Sequence, residues 1–180
     1  MATFNVPTRE EVSSANQAIF DNLKSQLGFV PNLYATYAHS ETALGDYLSF
    51  SGRKTTLNNK EKEVVNLVVS EVNNCAYCKA AHTAIGKMNG LTDDQILEIR
   101  GAEISFDSKL DALAKLVQNA VVNRTHPEAE LIDAFLAAGY SKENLIDVIL
   151  LVGDKTIANL LHGITQIPVD FPAAPELQEA

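Results

Sequence analysis

A chain of 180 residues, 46% apolar and 21% charged, can bury one sizeable core, and its formal net charge of −9 repels nucleic-acid phosphates and anionic lipid. Its 14 lysines and arginines are scattered, which excludes a basic stripe for nucleic acid. No run approaches the roughly 18 uninterrupted apolar residues of a membrane span, and Met1-Ala2-Thr3-Phe4-Asn5-Val6-Pro7 has neither the basic nor the apolar region of an export signal.

The chain reads as helices nearly throughout, so the fold class is all-α, with a single domain expected over residues 1–180. Apolar positions Val12, Ala15, Ile19, Phe20, Leu23 and Leu27 recur at helical spacing and predict a helix over Thr8–Leu27 closed by Gly28. Helices over Leu33–His39 and Thr42–Gly52 follow the break at Val30-Pro31-Asn32. Leu57-Asn58-Asn59-Lys60-Glu61 has a capping-box arrangement, with an Asn cap and a Glu three positions on, and starts a helix running to about Val72. Asn73-Asn74 interrupts it. Asn74 is expected to cap a new helix from Cys75 to Asn89, ended by Gly90. Further helices are predicted over Thr92–Arg100, Asp107–Arg124, Pro127–Ala138 and Ser141–Gly163, with Ser141 as a cap. A proline-rich tail, residues 166–180, is too broken for a helix. Val64–Val69 and Ile146–Val152 are apolar most of the way round, which points to burial in the centre or beneath another subunit, and so to a homo-oligomer.

Chemistry concentrates in Cys75-Ala-Tyr-Cys78-Lys-Ala-Ala-His82, which holds both cysteines and one of four histidines. On a helix these three side chains share a face, and the three-residue spacing brings the cysteine Cα atoms to about 5 Å, within reach of a disulfide. Cys75 falls in the first turn, where unpaired N–H groups and the helix dipole favour a thiolate. Cys78 lies one turn deeper, with His82 four residues beyond as its proton partner. If the chain reverses at Asn73-Asn74, Glu63 on the preceding helix can orient His82, though the rise per residue leaves the two a few Å out of step, with a bridging water as an alternative to direct contact. A C-x-x-C pair with no second pair and no export signal means redox chemistry or metal binding, and places the chain in the cytoplasm.

Glu63, then Cys75-x-x-Cys78-x-x-x-His82, resembles the Glu-x11-Cys-x-x-Cys-x-x-x-His signature of the alkylhydroperoxidase AhpD-like group within the carboxymuconolactone decarboxylase superfamily. Leu27-Gly28-Phe29-Val30-Pro31-Asn32-Leu33 with Ala38-His39-Ser40 is similar to its longer, peroxidase-related branch. The resemblance implies an AhpD-like helical bundle assembled into dimers, trimers or hexamers. It implies an enzyme that reduces hydroperoxides without metal, haem or flavin, regenerated by a dithiol donor such as a lipoyl or thioredoxin-like protein. By this likeness Glu63 and His82 relay a proton from Cys78, Cys78 attacks the peroxide, and Cys75, the more exposed sulfur, resolves the sulfenic acid as a disulfide. One position departs from the pattern: Tyr77 stands where many members carry a second His, and tyrosine is a poor base near neutral pH. The lactone decarboxylases of the superfamily lack the cysteine pair, so their activity is not implied.

Plainer readings stand beside these. The cysteines could be small buried hydrophobes, or could join His82 as zinc ligands lacking a fourth partner. A disulfide-exchange adaptor with little peroxidase activity and a zinc-stapled or inert helical binding module are the corresponding alternative functions. Glu63, in Lys60-Glu61-Lys62-Glu63, could be a solvated residue near a helix start, and His82 a core histidine. His126 reads as a loop residue, while His162 could suit a helix C-terminus or line a pocket from another chain. Tyr34, Tyr37, Phe50 and Tyr77 read as core or pocket wall.

Overall fold

The computed structural model describes residues 4–123 and 126–177; among them are nine α-helices, a single 3-10 turn and no strand. The chain is thus all-α, as its periodicity predicts. The expected helix over Thr8–Leu27 divides, because Ser13 stands in an extended conformation with its side chain accepting the Asn16 N–H. A 3-10 turn, Arg9–Glu11, is followed by α1, Ser14–Leu27, which Gly28 ends in the left-handed region at φ 85°. The short helices are α2, Asn32–Tyr37, and α3, Ala43–Ser51. The capping box forms in full at the start of α4, Asn59–Val72: Glu61 N–H donates to Asn58 Oδ1 at 3.0 Å and Asn58 N–H to Glu61 Oε2 at 2.8 Å. Then come α5, Ala76–Met88; α6, Asp93–Gly101; α7, Ser108–Val122; and α8, Ala129–Ala137. The expected end of α7 at Arg124 lies outside the described residues. Helix α9, Lys142–Thr165, starts where Ser141 Oγ accepts the Asn144 N–H at 3.1 Å, as expected of a cap.

Two compact units share the chain. The first takes in the residues up to Lys54 and Leu160–Asp170, around a core of Val12, Phe20, Ala35, Ala38 and Leu44. In it the tail is tied down, since Asn32 N–H donates to Asp170 Oδ2 at 2.7 Å and Asn32 Nδ2 to Pro168 O at 3.1 Å. The second unit takes in Thr55–Asn159 and the residues from Phe171 on. Helix α4 is its axis: Val64 through Ser70 are all buried, and α5, α6 and α7 pack against it. Leu67, Ile96, Ile99, Leu113, Val117 and Phe135 fill the space around it. Here too the tail is held, with Phe171 edge-on to Tyr77 and Pro175 O accepting from the buried Arg100, which also pairs with Glu71 at 2.6 Å.

The two stretches expected to be buried all round behave differently. Val64–Val69 is buried throughout, whereas α9 is buried on one face only. Val148, Leu151, Asp154, Lys155, Ala158 and Asn159 lie inward, while Ile146, Ile149 and Ile157 are 57%, 56% and 44% exposed.

Candidate active site

The turn between α4 and α5 explains where the sulfurs sit. Asn74 adopts the left-handed conformation, φ 49°, and the N–H groups of Asn74 and Cys75 bond the carbonyls of Glu71 and Ser70, both at 2.9 Å. This pair of bonds is a Schellman closure with Asn in the position glycine usually takes. Asn74 is thereby committed to ending α4 and cannot cap α5. The cap is Cys75 itself, whose sulfur accepts the Cys78 N–H at 3.3 Å, so α5 begins one residue later than expected.

Cys75 and Cys78 are both in the thiol form, 3% and 2% exposed, which removes the expectation that Cys75 is the more accessible of the two. His82 follows one turn beyond Cys78 on α5 and is 9% exposed. Its Nδ1 lies 2.8 Å from Glu63 Oε2, a direct contact; two long side chains absorb the offset between the helices. Glu63 is buried, not solvated, and its other oxygen accepts from Asn66 Nδ2 at 3.2 Å.

The charge states follow from these surroundings. Burial works to raise the Glu63 carboxyl, but His82, Asn66 and Lys155 outweigh it and hold the group below its ordinary value. Burial and the field of Lys155 keep His82 below its ordinary value of 6.5, against the pull of Glu63 and Asp154. The pair is therefore a carboxylate and a neutral imidazole. A carboxylate only accepts, so Nδ1 carries the ring proton and Nε2 presents a lone pair. The Cys78 thiol is pushed up, first by its hydrogen bond with Cys75 and then by burial, with Lys155 and Asn159 drawing it back down. Cys78 holds its proton until a base removes it.

Sequence reasoning missed three residues, all on the buried face of α9. Asn159 accepts from Asn73 Nδ2 at 2.9 Å, donates to Ser70 Oγ at 3.5 Å and reaches the Cys78 sulfur. Lys155 and Asp154, one turn earlier, act on Cys78 and His82 as described. The available signal was polar side chains recurring on an otherwise apolar helix, at Asp154, Lys155 and Asn159. Tyr77 is buried with its ring 5.7 Å from that of Phe171, as a wall residue would be.

The remaining histidines are occupied elsewhere. His39 Nε2 lies 2.9 Å from Asn5 O, His162 Nε2 lies 3.2 Å from Ile167 O, and His126 is exposed ahead of α8. Among the described residues no three His, Cys, Asp or Glu side chains are grouped as metal ligands, and no helix is long and apolar enough to cross a membrane.

Fold and site together define a helical protein with a buried dithiol at a hairpin turn, backed by a carboxylate–imidazole pair. Residues 38–118, which include Glu63, Cys75, Cys78 and His82, match the carboxymuconolactone decarboxylase family. Among solved structures, an uncharacterized peroxidase-related protein from Silicibacter sp. TM1040 shares the fold with a TM-score of 0.82 at 18% identity, over 97% of this chain and 93% of that one. An alkylhydroperoxidase AhpD core protein from Ralstonia eutropha JMP134, also peroxidase-related and uncharacterized, gives 0.81 at 18% identity over 93% and 91%. The debrominase Bmp8, as a cysteine-to-alanine variant in complex with 2,3,4-tribromopyrrole, gives 0.77 at 15% identity over 94% and 93%. No curated protein matches the sequence. The match over residues 38–118 and the shared fold agree with the likeness to the AhpD-like and carboxymuconolactone decarboxylase superfamily that the Glu, Cys, Cys and His spacing carries.

Proposed function

We propose that this chain is a thiol-dependent hydroperoxide reductase. The observation that carries the reading is the buried 2.8 Å contact between Glu63 and His82, one helical turn from a dithiol. His82, oriented by the carboxylate and neutral, takes the proton of Cys78 through Nε2. The Cys78 thiolate attacks the terminal oxygen of ROOH; the O–O bond breaks, Cys78 becomes a sulfenic acid, and the departing alkoxide takes the proton from His82 to leave as ROH. Cys75 then attacks the Cys78 sulfur, forming the disulfide and releasing water. A dithiol donor reduces the disulfide, returning two thiols and leaving with a disulfide of its own.

Burial of both sulfurs favours a small oxidant and a donor with a slender arm, such as a lipoyl group. Fold likeness to a debrominase at 15% identity adds no halogenated substrate, because the fold alone is shared. The apolar outer face of α9 supports self-association as a homo-oligomer.

One equivalent of peroxide followed by mass spectrometry tests the assignment. Cys78→Ser is expected to lose peroxide consumption, and Cys75→Ser to complete one stoichiometric turnover with the sulfenate on Cys78. Sulfenate on Cys75 would reverse the two roles. If the native chain forms no sulfenate yet exchanges with lipoamide disulfide, it is a disulfide-exchange adaptor.

A further inference from the structure

Lys155 is 8% exposed, yet among the described residues no carboxylate lies within ion-pair distance of its ammonium. A buried cation without a contacting anion is costly, and the carboxylate whose charge Lys155 favours, Glu63, already has its two oxygens on His82 and Asn66. Its place on α9 shows which anion could supply a counter-charge. Asn159, four residues on and on the same face, ties α9 to Ser70 in the last turn of α4 and to Asn73 just before the cysteines. Lys155 therefore lies buried one turn along a face already seated on the α4–α5 turn, close enough for its charge to be felt at Glu63, Cys78 and His82.

We propose that Lys155 is the counter-ion of the sulfur at Cys78, a positioning cation that α9 lends to the hairpin and that holds the thiolate, and then the sulfenate, as each forms. The inference rests on the reading of Cys78 as the sulfur that becomes anionic, but not on peroxide being the oxidant.

The groups facing these atoms are few. Cys75 and Asn159 face Cys78; Glu63 and Asp154 face His82; Lys155 acts on all of Cys78, His82 and Glu63. Lys155 draws the Cys78 proton off and keeps His82 unprotonated, which is the pairing a thiol and its base require. Asp154, buried with its Oδ1 unbonded, opposes Lys155 at His82 and so limits how far the imidazole is depressed. A second, independent base on α9 is not needed.

The test is a titration of the ultraviolet thiolate band in the full chain carrying Cys75→Ala, which leaves Cys78 as the one thiol. Lys155→Met should move the midpoint to higher pH by about 1–3 units, the usual effect of losing a near opposite charge. Lys155→Arg should restore most of the shift. An unchanged midpoint in a Lys155→Met chain of normal helicity would overturn the proposal, as would Lys155→Arg behaving like Lys155→Met, which marks a packing role. Should Lys155→Met not fold, the Lys155 Nζ resonance of the folded Cys75→Ala chain, identified by its absence in Lys155→Arg, should move with the Cys78 midpoint; a resonance that stays still overturns it. These readouts need no turnover. A shifted midpoint in a chain that consumes no peroxide would sink the peroxidase reading alone, and an unshifted one in an active chain would sink this inference alone.

Discussion

His82 is a neutral base inside the protein, and both its chemistry and its contribution to stability follow from that. Replacement by Ala removes the proposed acceptor for the Cys78 proton, so peroxide consumption should fall most near neutral pH and recover as alkali ionises the thiol unaided. A pH–rate profile checks this; a loss of equal size at every pH would assign His82 to packing. The stability effect has a definite sign. Unfolded His82 takes a proton as pH falls through its ordinary value of 6.5, while folded His82 resists it, so acid favours the unfolded chain. Glu63 acts in the same sense lower down: its depressed carboxyl stabilises the fold above its ordinary value of 4.5, and that contribution is lost as pH falls through the folded value. Urea midpoints should therefore drop between pH values of about 7.5 and 5.5, with a smaller drop in His82→Asn. An equal drop in both would place the titrating group elsewhere. The Glu63–His82 relation was legible from spacing alone because α4 and α5 are consecutive and antiparallel. Lys155, Asp154 and Asn159 were not, because no local spacing joins them to residues some eighty positions earlier.

At the scale of elements, the caps written into the sequence form where side-chain chemistry is unambiguous. The Asn58–Glu61 box, Ser141, Gly28 and Gly90 all act as their residue types dictate. Asn73-Asn74 was ambiguous, since asparagine serves equally as an N-cap and as a left-handed C′ residue. The structure uses Asn74 in the second way, at φ 49°, and leaves the cap to Cys75. Asn74→Gly should therefore keep stability within about 0.5 kcal/mol, whereas Asn74→Val, forced into the left-handed region, should cost about 1–2 kcal/mol in urea unfolding. Equal stability of the two variants would mean that the turn is not held as described. The split of the first predicted helix has a similar origin, because an apolar periodicity running through Val12 conceals the extended Ser13 that begins α1.

For the molecule as a whole, the outer face of α9 is where the proposed self-association would act. Ile146, Ile149 and Ile157 are about half exposed, and Ile149 and Ile157 line an apolar groove of about 670 Å³ between α7, α8 and α9 together with Leu116, Ile132 and Val152. Ile146→Glu combined with Ile149→Glu should lower the sedimentation coefficient toward that of the single chain with helicity intact. A parent chain that already sediments as a monomer would show that water covers this face. Whether an apolar stretch is central or peripheral was not readable from its composition, since α4 and α9 look alike in sequence and differ in what surrounds them. The separation of the hairpin from α9 also has a consequence for folding. Glu63 to His82 is one short, local segment whose contacts close early, whereas Lys155 and Asn159 arrive only when a distant helix docks. On the proposed roles, a nascent or partly opened chain holds its two sulfurs together before their reactivity has been tuned, and full reactivity is reserved for the finished fold.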